Sequence, residues 1–123
     1  INGMIDRNWG RVINISSVNG QRGQFGQANY SAAKAGMHGF TKTLAMEVAR
    51  KGITVNTISP GYIGTDMVMA VPQKVLDQIV AQVPMGRLGG THEVAHLVSF
   101  LASEATSFVT GANYSINGGQ HVY

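Results

Sequence analysis

A tyrosine and a lysine four positions apart are the side chains best suited to chemistry in this sequence. Tyr30 and Lys34 stand at the start of a segment with helical periodicity, so both side chains lie on one helix face, one turn apart. A free tyrosine titrates at about pH 10, and a neighbouring ammonium favours its phenolate, so such a pair can move a proton near neutrality. An isolated match of this spacing more often means a packed tyrosine beside a solvated lysine. Other features of the sequence must therefore decide whether this pair is functional.

Three features around the pair favour a functional site. A predicted strand ends at Ser16-Ser17, thirteen residues before Tyr30, and ligands bind at the carboxyl ends of parallel strands. The helix after Tyr30 is rich in small residues, which let a backbone or a cofactor approach closely. The next strand ends in a rigid turn at Pro60-Gly61, on the same edge of the sheet.

The elements that must position these residues alternate between strand and helix. We predict strands at 11–16, 53–58 and 113–117. Residues 1–8 are predicted to be the end of a helix, and further helices are predicted at 29–51, around 75–83 and after Thr91. Loops are predicted over 17–28 and from the Pro60-Gly61 turn through Val71. Within 29–51, a predicted apolar stripe comprises Ala33, Met37, Phe40, Leu44 and Val48, and Gly52 is placed to end the helix. The order predicts an α/β fold with parallel strands and right-handed crossovers, forming half of a doubly wound sheet. Its first strand would leave an apolar edge uncovered.

Composition excludes several classes of protein. A chain of 123 residues with 44% hydrophobic and 12% charged residues is at most one domain, and it is neither disordered nor a charged tail. The net charge of +3 is scattered along the chain, so we expect no nucleic-acid partner. No apolar run has transmembrane length, so we expect no membrane association. The absence of cysteine suits a reducing compartment, and we expect a cytoplasmic protein.

Taken together, these motifs resemble the short-chain dehydrogenase/reductase family. Ser17, the Tyr30-x-x-x-Lys34 pair, the Pro60-Gly61 turn and the Asn-Gly-Gly of 117–119 match that family in order, over essentially the whole chain. The resemblance implies that residues 1–123 form the C-terminal half of one Rossmann-like domain. Residues 14–27 look most like acetoacetyl-CoA reductases of polyhydroxyalkanoate synthesis, with 3-oxoacyl-acyl-carrier-protein reductases as the alternative. The resemblance also implies a homotetramer.

The resemblance assigns a role to each site residue. Ser17 would hydrogen-bond the carbonyl oxygen of a 3-oxoacyl thioester, Tyr30 would donate the proton, and Lys34 would bind the nicotinamide ribose. The cofactor-binding set is Tyr30, Lys34, Pro60, Gly61, Ile63 and Thr65. The substrate-binding set is Ser17, Gln24, Phe25, Gly26, Gln27 and Tyr62. The implied cofactor is NADP, with NAD left open, because the residues that choose between them lie outside this sequence.

The family's glycine-rich dinucleotide turn and its catalytic asparagine would precede Ile1. We therefore expect the sequence to begin inside a longer protein, and residues 1–123 alone not to reduce a thioester, because nothing would hold the pyrophosphate. A truncated, non-catalytic chain that keeps the assembly surfaces stays an alternative.

A second motif competes with this interpretation. His92, Glu93 and His96 match His-Glu-x-x-His, in which two histidines bind zinc and the glutamate activates water. The extended form fails, because Ser99 and Ala102 occupy the positions of its glycine and third histidine. We expect no metal site here and treat a zinc hydrolase as the unfavoured alternative.

Overall fold

The computed structural model describes residues 1–123 and contains three strands and six α-helices. In chain order they are α1 (Asn2–Asp6), β1 (Gly10–Ile15), α2 (Val18–Arg22), α3 (Ala28–Val48), β2 (Ile53–Pro60), α4 (Asp66–Met69), α5 (Gln73–Ala81), α6 (Thr91–Ala102) and β3 (Asn113–Ile116). Short 3-10 turns follow α3 at Ala49–Lys51 and α6 at Glu104–Thr106. None of the helices combines the length and the hydropathy that a membrane span requires.

The three strands form one parallel sheet in the order β1-β2-β3, which confirms the predicted α/β, Rossmann-like fold. β2 lies in the centre and is buried from Ile53 to Ser59, as its run of β-branched residues predicts. β1 pairs with β2 from Gly10↔Ile53 to Ile15↔Ile58 and has a free outer edge. The free edge agrees with the expectation from the sequence, and Ile15, at the carboxyl end of β1, is 41% exposed.

Helix α3 packs on the sheet through a face that agrees only in part with the predicted stripe, which it shares at Leu44 and Val48. Thr41, Ala45 and Val48 are its buried residues, whereas Ala33 and Phe40 of the predicted stripe are exposed. The hydroxyl groups of Thr41 and Thr57 are hydrogen-bonded to each other over 2.7 Å, and the Asn14 amide donates to Thr41 Oγ1 over 2.8 Å. Thr41 was not predicted to be buried, because a threonine with polar partners does not count as apolar in a periodicity.

The C-terminal end of α3 contributes to the main hydrophobic core. Ala45, Val48, Ile53 and Val55 form its buried centre, with Met4, Ile5, Val12 and Leu44 packed around them. Gly52 adopts φ 67°, a left-handed conformation, and ends the helical segment as predicted. A Cβ at this position would also collide with the backbone carbonyl of Asn8.

Two segments predicted as loops contain short helices. Residues 18–22 form α2, capped by Ser17, and residues 66–69 form α4, capped by Thr65. Each is about one turn long, too short to give a hydrophobic periodicity, but a serine or threonine cap precedes each. The cap of α6 is Gly90 rather than Thr91. The backbone N–H of Gly90 donates a hydrogen bond to the Glu93 carboxylate over 2.7 Å.

Candidate active site

A cleft of about 650 Å³ opens at the carboxyl ends of β1 and β2. This is the edge at which an open parallel sheet places its ligands. It brings together most of the residues singled out in the sequence: Ser17, Gln27, Tyr30, Lys34, Pro60, Gly61, Tyr62, Ile63 and Thr65. Lys34 is the one charged side chain among the residues that line it.

Ser17 is buried, and its hydroxyl group has a hydrogen available for a hydrogen bond. It lies two residues beyond β1, is 9% exposed, and its Oγ accepts a hydrogen bond from the backbone N–H of Asn19 over 3.1 Å. That bond makes Ser17 the cap of α2 and fixes the side chain. Because Oγ is the acceptor, its own hydrogen stays available to an acceptor in the cleft, such as a carbonyl oxygen.

Tyr30 and Lys34 share the face of α3 that borders the cleft. The Lys34 ammonium lies 5.6 Å from the centre of the Tyr30 ring, as the four-residue spacing predicts. It donates a hydrogen bond over 2.9 Å to the backbone carbonyl of Ile15, and no carboxylate pairs with it. Tyr30 is 43% exposed, so its phenol is accessible from the cleft. An accessible phenol beside an unneutralised ammonium is an arrangement suited to proton transfer.

The loop after β2 is held in place largely through its backbone. The N–H of Gly61 donates to Ile116 O over 2.9 Å, and the N–H of Tyr62 donates to the side-chain oxygen of Gln120 over 3.0 Å. A parallel bridge between Ile63 and Gly89 fixes the other side of the loop. The N–H of Ile63 makes no hydrogen bond within the chain, although Ile63 lines the cleft. The loop thus offers a fixed, unused donor to a ligand carbonyl.

The predicted substrate-binding residues divide into two groups. Gln27 and Tyr62 line the cleft with Ser17, whereas Gln24 and Gly26 line a separate shallow depression, and the Phe25 side chain is fully exposed. The structure therefore does not bring Gln24, Phe25 and Gly26 into the cleft within this chain.

Several residues that line the cleft were not predicted from the sequence. They are Ile15, Ser16, Val18, Asn19, Met67, Val68, Thr91 and Val94. Asn19 had a usable signal, since it lies in the first turn after a strand end. Thr91 and Val94 had none, because only the folding of α6 against the sheet brings them to this edge.

The side chains of the His-Glu-x-x-His motif have other partners. Arg87 binds the Glu93 carboxylate through both terminal nitrogens, over 2.8 and 2.9 Å, and lowers the pKa of Glu93 to about 2 together with the Gly90 N–H. The rings of His92 and His96 lie 6.0 Å apart, edge to face. No group of three metal-ligating side chains occurs in the chain.

Known proteins are similar to this sequence along nearly its whole length. A sequence profile for the family described as enoyl-(acyl carrier protein) reductase matches residues 2–121. The chain belongs to the short-chain dehydrogenase/reductase family. This short-chain dehydrogenase/reductase sequence is 64% identical over 122 residues to the acetoacetyl-CoA reductase of Cupriavidus necator, covering 99% of the chain and 50% of that protein.

Two further relatives mark the range of similarity within the short-chain dehydrogenases/reductases. The acetoacetyl-CoA reductase of Rhizobium meliloti is 63% identical over 120 residues, covering 97% of the chain and 50% of the relative. The 3-oxoacyl-[acyl-carrier-protein] reductase of Pseudomonas aeruginosa is 48% identical over 122 residues, covering 99% of the chain and 49% of the relative. The chain thus spans about half the length of each of these relatives.

Proposed function

We propose that the protein containing this chain reduces acetoacetyl-CoA to 3-hydroxybutyryl-CoA with a nicotinamide cofactor, NADPH in preference to NADH. The observation that carries the proposal is the cleft in which Ser17, Tyr30 and Lys34 meet at the carboxyl edge of the sheet. The 64% identity to an acetoacetyl-CoA reductase supports this substrate. The 48% identity to a 3-oxoacyl-[acyl-carrier-protein] reductase makes the carrier-protein thioester the second candidate.

The residues of the cleft suit a ketone reduction. The reduced nicotinamide supplies a hydride to the carbonyl carbon when it is bound. The Ser17 hydroxyl donates a hydrogen bond to the carbonyl oxygen and holds it in position. The Tyr30 phenol gives its proton to the same oxygen as negative charge develops there, and the Lys34 ammonium stabilises the phenolate that remains.

The residues present fit the nicotinamide end of such a cofactor. The unused N–H of Ile63 is a donor for a carboxamide oxygen, and the Lys34 ammonium is a donor for ribose hydroxyls. Pro60, Gly61 and Thr65 complete this side of the cleft. Ser17 and Tyr30 are left for the thioester, with Gln27 and Tyr62 flanking it.

The exposed parts of α3 support the proposed homotetramer. Phe40 is 56% exposed and Met46 is 77% exposed, and both lie away from the face that packs on the sheet. A helix that is apolar on more than one side usually has more than one neighbour. We extend the proposal to a cytoplasmic protein that assembles through this helix.

The test is an assay of the full-length protein with two thioesters and two cofactors. We expect oxidation of NADPH with acetoacetyl-CoA, at a kcat/KM at least about tenfold above that for an acetoacetyl-carrier-protein thioester. A reversed preference would transfer the assignment to the carrier-protein reductase. Absence of turnover with both substrates, in a protein that is folded by circular dichroism, would overturn it.

A further inference from the structure

A histidine outside the cleft is connected to its catalytic residues through a buried serine. His38 lies on α3, four residues after Lys34, and its Nε2 is 3.0 Å from the Oγ of Ser16. Ser16 is 4% exposed and directly precedes Ser17. Its Oγ also lies 2.7 Å from the backbone carbonyl oxygen of Lys34. Two atoms of α3 and the Oγ of the residue that follows β1 therefore meet beside the catalytic residues.

The directions of these hydrogen bonds follow from the inventory of donors. A backbone carbonyl can only accept, so the single hydroxyl hydrogen of Ser16 is directed to the Lys34 carbonyl. The contact with His38 is then a hydrogen bond only if the imidazole is the donor. Nε2 of His38 must therefore carry a proton.

The surroundings of His38 favour the neutral imidazole. Burial lowers the pKa of His38, and the positive charge of Lys42, one turn further along the helix, lowers it in addition. A neutral imidazole has one N–H, and the Ser16 contact places it on Nε2. The chain of donors then runs from His38 to Ser16 to the Lys34 carbonyl.

We propose that His38, neutral and protonated on Nε2, is a positioning residue that acts through Ser16 to fix Lys34 relative to Ser17. Ser16 is joined to Ser17 by a peptide bond, and its hydroxyl donates a hydrogen bond to the backbone carbonyl of Lys34. The strand end that carries the carbonyl-binding serine is thus tied to the helix that carries the proton donor. This role rests on the proposed reductase function, because it acts on that set of catalytic residues.

His38→Gln and His38→Asn both introduce a side-chain amide, and a comparison of the two separates a positioning role from simple packing. The side-chain nitrogen of glutamine lies about as far from Cβ as Nε2 of histidine, whereas that of asparagine corresponds to Nδ1. We expect His38→Gln to keep kcat within about threefold of the wild type, because the donor to Ser16 is retained. His38→Asn lowers kcat about 10- to 100-fold with little change in KM, since small misplacements of catalytic groups have effects of this size.

Ser16→Ala removes the other member of the pair and should lower kcat to a similar extent. Because the two side chains act through one connection, the Ser16→Ala/His38→Asn double variant should lose no more than about twofold beyond either single variant. Equal activities of His38→Gln and His38→Asn, or fully additive losses, would contradict the positioning role. Thermal unfolding of each variant, with the midpoint compared with its kcat, separates positioning from loss of fold.

A measurement that needs no turnover tests the geometry itself. The nitrogen-15 spectrum of His38 in the full-length wild-type protein, at about pH 8 where an ordinary histidine is neutral, should show a protonated Nε2 and an unprotonated Nδ1. A proton on Nδ1 instead overturns the inference, even in an active reductase. The expected tautomer in a wild-type protein without reductase activity overturns the proposed function, and the positioning role with it.

Discussion

The Lys34 ammonium is hydrogen-bonded over 2.9 Å to the backbone carbonyl of Ile15, the last residue of β1. This bond connects α3 to the end of the strand that leads to Ser17. A carbonyl is a neutral acceptor, so the bond holds the side chain and leaves its positive charge uncompensated. Because no other charged residue lines the cleft, that charge acts on whatever binds there.

Removal of this charge should damage the reaction more than it damages the fold. We expect Lys34→Met in the full-length protein to lower kcat/KM by at least about 100-fold, the size of typical acid-base and binding contributions. Lys74→Met on α5, which removes an exposed lysine outside the cleft, is the control. Steady-state kinetics with NADPH checks both variants. A Lys34→Met enzyme within fivefold of the control would contradict the assigned role.

The phenol hydroxyl of Tyr30 should be needed for the chemical step. Tyr30→Phe keeps the ring and removes the proton donor, so we expect kcat to fall about 10²- to 10⁴-fold. Tyr114→Phe, in β3 and outside the cleft, should keep nearly full activity. Single-turnover rates, which isolate the chemical step, are the measurement. Unchanged rates for the Tyr30 variant would assign proton donation to another group.

The buried hydroxyl pair between α3 and β2 should contribute measurably to stability. Thr41→Val keeps the shape but leaves Asn14 and Thr57 without their shared partner, so we expect a loss of about 1–3 kcal/mol in the free energy of unfolding. Thr43→Val, at an exposed position of the same helix, should change it by no more than about 0.5 kcal/mol. Urea denaturation measures both. Equal stabilities of the two variants would show that the pair is energetically neutral.

The ion pair at the start of α6 should make stability depend on acidity. The pKa of Glu93 is lowered from 4.5 to about 2 in the folded chain. The folded state therefore gains stability from this carboxylate above about pH 4.5, and loses it as the pH falls toward 2. Glu93→Gln should lower Tm at pH 7, and the difference from wild type should shrink at acidic pH. A difference that stays constant over this range would exclude the linkage.

The proposed assembly should depend on the exposed apolar face of α3. Phe40→Glu places a charge on this face, so we expect light scattering to show a smaller species than the tetramer proposed for the wild type. Phe25→Glu changes a fully exposed phenylalanine in a loop, and it should leave the assembly intact. A Phe40→Glu variant that stays tetrameric would place the interface elsewhere. A monomeric wild type would contradict the assembly altogether.

Local signals in the sequence were enough to predict the helix that carries Tyr30 and Lys34, and the positions of the three parallel strands. The spacing of Tyr30 and Lys34 specifies one helix face whatever packs against it, and the β-branched run 53–58 specifies a buried strand. The buried face of α3 was predicted only in part, because Thr41 is buried through hydrogen bonds to Asn14 and Thr57 from two strands. Those partners are 27 and 16 residues away, beyond the reach of any periodicity.

The sequence by itself determined the fold class, the family and the set of residues able to do chemistry, because these depend on residue type and short-range spacing. Only the tertiary structure decided which of them share a cleft: Gln27 and Tyr62 do, whereas the exposed Phe25 does not. It also decided that Ile63 keeps a free N–H and that His38 contacts Ser16. Such relations depend on how parallel strands and their crossover helices pack, which sets distances between residues that the chain itself leaves far apart.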